Sequence, residues 1–216
     1  MPLGTNLSFA QNGEDRVVAS LFEYLEIDKP SYLDIGAYEP IVGSNTYLFY
    51  RRGARGVLVE PNVDCVPRLR SKRPDDTVLN IGVGLTADRS ADFYRLTLPQ
   101  RNTFDKTEAE QVVRDSGGKV TIREVVKMPL VPVNEVLAEH FPGRAPDFLS
   151  IDVEGLDYPI LKTYDFAKYR PKVICSELRS NGRTNEEAVA FLRDKGYNVQ
   201  GMTFPNVIFV DRAIMG

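Results

Sequence analysis

The sequence predicts an α/β protein: an open, mostly parallel sheet with helices on both faces, closed by an antiparallel hairpin. Three observations carry this. Residues 32–46, YLDIGAYEPIVGSNT, run from a short apolar stretch through a glycine turn into helix-capping residues, the pattern of a buried strand handing over to a helix. Comparable apolar runs return at 56–62 (GVLVEPN), 77–84 (TVLNIGVG), 147–152 and 172–177, separated by stretches of helical periodicity, an alternation that builds a parallel sheet. The chain then closes on NVQGMTF and NVIFVDR around Pro205 and Asn206, which reads as a hairpin.

The elements follow in order. SFAQNGEDRVVASLFEYL (8–25) opens with a polar turn, places Glu14 and Asp15 in the first turn of a helix and repeats Val17, Val18, Leu21, Phe22 and Leu25 at helical spacing; acids are favoured at that end of the macrodipole. Tyr32, Leu33 and Ile35 form the first strand, with Asp34 near its end and Gly36 at the turn. Ser44, Asn45 and Thr46 cap a helix, TYLFYRR, that stops at Gly53. After the second strand Asn62 caps a helix carrying Val63, Val66 and Leu69, with Arg68, Arg70, Lys72 and Arg73 on its solvated face. Residues 77–84 read as one third strand ending in glycines, and DFYRLTLP (92–99) as a half-exposed strand. Residues 100–119 are polar and mixed, with a short helix started by Thr103 or Asp105 and ended by Gly117 and Gly118. TIREVVKMPLV is a strand and PVNEVLAEHF a helix begun by Pro132. The fourth and fifth strands end at Asp152 and Glu177, and residues 184–196 form an amphipathic helix with Ala188, Phe191 and Leu192 inward.

At 216 residues the chain fits one domain, 1–216, with residues 1–30 as a helical cover and 100–119 as a lid or substrate insertion. The net charge of −3 gives no electrostatic case for nucleic acid or for acidic membrane surfaces. Cys65 and Cys175 fall in a predicted helix and a predicted strand, which argues against a disulfide or zinc site and for a reducing compartment. No leader or apolar span of about 18 residues is legible, and the expected setting is cytoplasmic, without membrane insertion. His140, the lone histidine, lies in the last turn of a helix, where a cation is favourable.

Ligands of open α/β sheets sit beyond the carboxyl ends of the strands. Glu60 follows the glycine turn by the distance at which an acid reads ribose hydroxyls. The turn lacks the G-x-G-x-x-G spacing of a dinucleotide fold, and Glu39 would repel a pyrophosphate. An adenosine ligand without phosphates, such as S-adenosylmethionine, therefore fits better than NAD. Gly82 and Val83 either border the adenine or make a plain turn. Gln11, Glu14 and Asp15 either belong to a packing helix with a capped start or reach over the ligand.

These segments together have a likeness. SFAQNGEDRVV, YLDIGAYEPIVGSNT, GVLVEPN, FLSIDVEGLDYPIL and VICSE stand in order across residues 8–178, and the chain resembles the FkbM family of S-adenosylmethionine-dependent methyltransferases. The resemblance implies a Rossmann-like class I methyltransferase fold, with a mostly parallel seven-stranded sheet and a C-terminal antiparallel hairpin. It implies S-adenosylmethionine held by Gln11, Glu14, Asp34, Gly36, Ala37, Ser44, Asn45, Glu60, Pro61, Asn62, Gly82, Val83 and Asp152. Asp34, Gly36 and Asn45 would surround the methionine part, Glu60 the ribose, and Gly82 with Val83 the adenine. It further implies O-methylation, most often of a sugar hydroxyl in a polysaccharide, glycolipid or natural product. The family often has a second small residue soon after Gly-Ala, where this chain has Tyr38-Glu39-Pro40. Residues 100–119 match the family least and are expected to carry substrate choice.

A hydroxyl is a poor nucleophile until deprotonated, so a carboxylate base or a divalent metal is required. Asp152, Glu154 and Glu177 stand at the ends of neighbouring strands as catalytic candidates; Asp152 and Glu177 are also candidate Mg²⁺ ligands. The bland alternative for them is hydrogen bonding to backbone amides, and for Glu154 capping of the next helix. Tyr38, Phe104 and Tyr158 are candidate platforms for a sugar ring. The expected partner is a small-molecule or glycan acceptor, and a homodimer stays open. The competing readings are an NAD(P)-dependent sugar oxidoreductase or epimerase, for which no Tyr-x-x-x-Lys pair is well placed, and a non-catalytic nucleoside-binding module.

Overall fold

The computed structural model describes residues 7–180 and 183–215. Its elements are α1 (Glu14–Tyr24), β1 (Tyr32–Ile35), α2 (Tyr47–Arg51), β2 (Gly56–Val59), α3 (Val66–Lys72), β3 (Thr77–Leu79), β4 (Gly82–Gly84), β5 (Ser90–Leu96), α4 (Lys106–Asp115), β6 (Ile122–Pro132), α5 (Val133–His140), β7 (Phe148–Ile151), α6 (Asp157–Thr163), β8 (Val173–Glu177), β9 (Arg179–Ser180), β10 (Arg183–Thr184), α7 (Glu186–Asp194), β11 (Tyr197–Met202) and β12 (Asn206–Asp211).

The main sheet has seven strands in the order β11-β12-β8-β7-β1-β2-β3. All neighbours from β8 to β3 run parallel, while β12 is antiparallel to β8 and to β11. This is the expected mostly parallel sheet with its closing hairpin. Buried parallel strands send alternate side chains to opposite faces. Leu33, Ile35, Leu149, Ile151 and Ile174 accordingly join one core with α5, α6 and α7. Tyr32, Phe148, Val173, Cys175 and Ile208 join the other with α1, α2 and α3. The two cysteines are buried and free.

Three expectations are corrected. Residues 77–84 are two strands: the chain leaves the main sheet after Leu79, and β4 pairs with β6 beside β5. At the break the Asn80 side-chain amide donates to the carbonyls of Glu60 (2.8 Å) and Pro61 (3.0 Å), tying the departing chain to the end of β2. Asn62 does not cap α3; its Oδ1 accepts from Asp64 N–H (3.2 Å) in a preceding turn, and Pro67 falls in the first turn of the helix, where its missing N–H costs nothing. Arg73 is not on a solvated face but fully buried. It sits just past the last turn of α3, at φ −130°, and its side chain turns inward to the hydroxyls of Tyr32, Ser44 and Thr46.

Candidate active site

A cavity of about 530 Å³ opens at the carboxyl ends of β1, β2 and β7, roofed by Gln100, Asn102, Thr103 and Phe104. Gly36 sits at its floor with φ +87°, and a Cβ there would meet the carbonyl oxygen of Asp152 at 1.9 Å. Only glycine lets the turns after β1 and β7 approach so closely. Gly82 is similarly bare: a Cβ would strike the Phe104 ring at 2.3 Å.

Of the residues expected to hold a nucleoside, Gln11, Gly36, Ala37, Glu60, Pro61, Gly82, Val83 and Asp152 line this cavity. Glu60 is 4% exposed. One of its oxygens accepts from Tyr38 N–H (2.8 Å) and the other from Asn62 N–H (2.7 Å), which fixes the carboxylate and leaves each oxygen a further acceptor site. Burial pushes this carboxyl up to about 7, against the pull of those two donors. Where the family often has a small residue, Tyr38 adopts φ +40°, so its N–H can reach Glu60. Among the described residues lining the cavity are Glu39, Glu60, Asp152 and Glu154, and no lysine, arginine or histidine. Glu39 is paired outward with Arg68 at 2.9 Å. A wall of acids without bases rejects phosphates and suits a cationic sulfonium with a ribose diol, so the residues present fit S-adenosylmethionine.

Glu14, Asp34, Ser44, Asn45 and Asn62 are not on the cavity wall. They are buried and brace it from behind. Glu14 accepts from Asn12 N–H (2.8 Å), Thr203 Oγ1 (2.6 Å) and Asn206 Nδ2 (3.0 Å), locking the amino-terminal loop to the closing hairpin. Asp34 accepts from Thr46 Oγ1 (2.6 Å). Arg73 donates to Thr46 Oγ1 (3.0 Å), Ser44 Oγ (3.2 Å) and the Tyr32 hydroxyl (3.0 Å), and pairs with Asp76 at 2.7 Å. Asn45 Nδ2 donates to Ser150 Oγ at 3.2 Å, tying the loop to β7. Ser44 Oγ accepts from Thr46 N–H (3.3 Å) and Tyr47 N–H (3.1 Å) in the turn that leads into α2, whose N-cap residue, Thr46, makes no side-chain cap bond.

The third group is acidic. Asp152, Glu154 and Glu177 each present a carboxylate oxygen within 4.8 Å of the others. Burial and then the neighbouring Glu177 charge hold Asp152 well above the usual carboxylate range. Burial pushes Glu177 up to about 7, while its hydrogen bond with Asp152 pulls it down. Burial also brings Glu154 to about 7, moderated by Arg101, whose Nη1 lies 2.8 Å from it. Glu154 has φ +52° and Gly155 φ +95°; this sharp turn presents the Glu154 carboxylate inward rather than toward α6. Asp157, which the sequence did not single out, is the brace: its Oδ1 accepts from Glu177 N–H (3.2 Å) and Ser176 Oγ (3.3 Å), coupling the turn after β7 to the end of β8. Phe104 packs against Phe93 with the rings tilted (4.7 Å between ring centres) and belongs to the nucleoside cavity, as does Tyr38. Tyr158 faces Phe191 and lines a separate cleft with Glu154 and Glu177. His140 lies outside these walls.

A sheet of this strand order, with a base-free, acid-walled cavity at its carboxyl edge, defines a Rossmann-like class I methyltransferase. Residues 34–199 match the methyltransferase FkbM domain, and the chain belongs to that family of S-adenosylmethionine-dependent methyltransferases. The NAD(P)-dependent reading falls with that match. No curated protein matches the sequence significantly. Among solved structures, the chain is similar to a TehB-like SAM-dependent methyltransferase from Corynebacterium glutamicum, at 8% identity over 93% of this chain and 88% of that one, TM-score 0.47. The 1,6-didemethyltoxoflavin-N1-methyltransferase of Burkholderia thailandensis shares 14% identity over 93% and 79%, TM-score 0.44. An O-methyltransferase from Bacillus cereus shares 14% over 91% and 78%, TM-score 0.41. The fold assignment rests on the strand order rather than on these values.

Proposed function

We propose that the protein methylates a hydroxyl oxygen, in an acceptor that is a sugar or a glycosylated small molecule. The observation that carries this is the convergence of the Asp152, Glu154 and Glu177 carboxylates within 4.8 Å of one another, with Asp152 and Glu154 on the wall of the nucleoside cavity. S-adenosylmethionine supplies an electrophilic methyl group on a sulfonium. Glu60 holds the ribose diol, and Gly36 lets the backbone lie against the methionine part. Glu177 takes the acceptor's proton as the new O–CH₃ bond forms and the S–CH₃ bond breaks, and Asp152 stabilises it by hydrogen bonding. Holding acceptor and methyl in line is the larger part of the work, since the leaving group is already good.

A divalent ion is the second reading, favoured by the mutual approach of the Asp152, Glu154 and Glu177 oxygens. Such an all-oxygen set suits Mg²⁺, which would bind the acceptor hydroxyl and lower its pKa. The test is incubation with S-adenosylmethionine and a panel of glycosides, with and without chelator, read by mass and by the position of the new methyl group. An O-methyl product whose formation survives chelation supports the carboxylate base. Loss on chelation supports the metal. Methylation at nitrogen or carbon alone contradicts both.

A further inference from the structure

The roof of the nucleoside cavity is one short stretch, 99–104, between β5 and α4. It is rooted in β5: Thr103 exchanges backbone hydrogen bonds with Tyr94 (2.8 and 3.2 Å), and Asn102 Oδ1 accepts from Leu96 N–H (2.8 Å). Two polar links cross from it to the turn after β7, and both end on Glu154. Thr103 Oγ1 donates to the Glu154 carbonyl (3.1 Å), and Arg101 Nη1 pairs with the Glu154 carboxylate (2.8 Å). Glu154 is a non-glycine residue at φ +52°, a conformation that persists only where the surroundings over-determine it. Here the roof grips it by backbone and side chain at once.

Arg101 is off the wall of the nucleoside cavity, although its neighbours Gln100 and Asn102 are on it. Its side chain lies instead on the wall of an adjoining cavity of about 440 Å³, with Asp152, Glu154 and Glu177. A second guanidinium nitrogen lies 2.6 Å from Glu108, in the first turn of α4. Glu108 belongs to the same segment as the roof, and Glu154 to the opposite side of the cavity. One planar fork therefore joins an acid on each side, which the single ammonium of a lysine would do less well. None of the three side chains is more than 35% exposed, so water and salt screen this link less than an open surface pair.

We propose that Arg101 is the clasp of the donor cavity: it ties the roof to the turn after β7, keeps the bound nucleoside between them, and sets the direction of the Glu154 carboxylate. The proposal rests on the methyltransferase reading above. Arg101 is a positioning residue, acting through Glu154. A donor leaving the cavity parts the roof from the turn, so the clasp governs the rate of release more than the rate of capture.

The test follows release of S-adenosylhomocysteine from the full chain by stopped-flow displacement, with hydrogen exchange of residues 99–116 in the complex as the second readout. Arg101→Met is expected to speed release about tenfold, the worth of one hydrogen bond between charged groups, and to quicken exchange in 99–116. Arg101→Lys, which keeps the charge, is expected to fall between wild type and Arg101→Met. Glu154→Gln is expected to speed release as well, and the double variant to exceed Arg101→Met by less than about twofold, because both changes remove one link. Glu108→Gln leaves the crossing link in place and is expected to do less than Arg101→Met. Unchanged release in Arg101→Met, no recovery in Arg101→Lys, or fully multiplicative effects of Arg101→Met and Glu154→Gln overturns the proposal. Failure of the wild-type chain to bind S-adenosylhomocysteine strikes the underlying methyltransferase reading instead.

Discussion

Asp34 and Asp152 stand on adjacent strands, near the carboxyl ends of β1 and β7, and their surroundings are opposite. Burial raises both. For Asp34 the next influences are the Arg73 guanidinium and the hydroxyls of Thr46 and Ser150, all of which pull it back down. For Asp152 the next influence is Glu177, which pushes it further up. Asp34 has a cation and lines neither of the cavities that Asp152 lines. Asp152 has a second acid and lies on the wall of two cavities. A buried carboxylate given a charge partner holds the fold together, whereas one denied a partner is held ready for a proton.

The largest expected effect comes from breaking the first arrangement. Arg73→Met leaves Asp34 and Asp76 buried without their cation. Losing one partner of such a pair costs about 3–5 kcal/mol, a fall in Tm of roughly 10 °C for a chain of this size, measurable by calorimetry. The second arrangement should respond in the opposite way. Asp152→Asn removes a crowded acid, so Tm is expected to hold or rise, while kcat falls at least about 100-fold. A variant that loses stability and activity together would place Asp152 with Asp34 and erase the contrast.

Glu60 lies between the two, since it is fixed by backbone donors yet exposes acceptor sites to the cavity. Glu60→Ala is expected to weaken S-adenosylhomocysteine binding by about 10- to 100-fold, the worth of hydrogen bonds to a charged group, with little change in kcat at saturating donor. The smallest effect is a pH dependence. Burial raises Glu60, Glu154 and Glu177 from about 4.5 to about 7. Between those values the folded state holds protons that the unfolded chain has lost, so stability of the ligand-free protein falls as pH rises from about 4.5 to about 7. Asp147 and Asp211 are lowered, by Lys172 with Ser31 and by Arg170 respectively; their contribution is lost only as pH falls below about 4. Thermal melts are expected to give a higher Tm at pH 5 than at pH 8, with a smaller difference in Glu60→Gln.

Most of the sheet was legible because buried parallel strands are short apolar runs between turn residues, and β1, β2, β7, β8 and the closing hairpin all have that form. The carboxylates at strand ends were legible for the same reason, as their place follows from the strands. What escaped the sequence is decided by side chains that fold back through space. Arg73 continues a helix face of arginines and lysine in one dimension, yet it turns inward to meet Tyr32 and Thr46. Asn80 sits in an apolar run, yet the chain leaves the main sheet there and its side-chain amide binds the Glu60 and Pro61 carbonyls. Glu14 and Asn45 sit in motifs associated with the ligand, yet their bonds run to Asn206 and Ser150. Asn12 carried no periodic signal, yet its side-chain amide reaches the Phe204 carbonyl in a hairpin almost two hundred residues away.

The most direct test of the central claim is calorimetric titration of the purified chain with S-adenosylhomocysteine, with NAD⁺ for comparison and Glu60→Ala as control. Binding of S-adenosylhomocysteine alone, abolished or strongly weakened in Glu60→Ala, is the predicted result. Binding of NAD⁺ in its place, or S-adenosylhomocysteine affinity indifferent to Glu60, would contradict the site described.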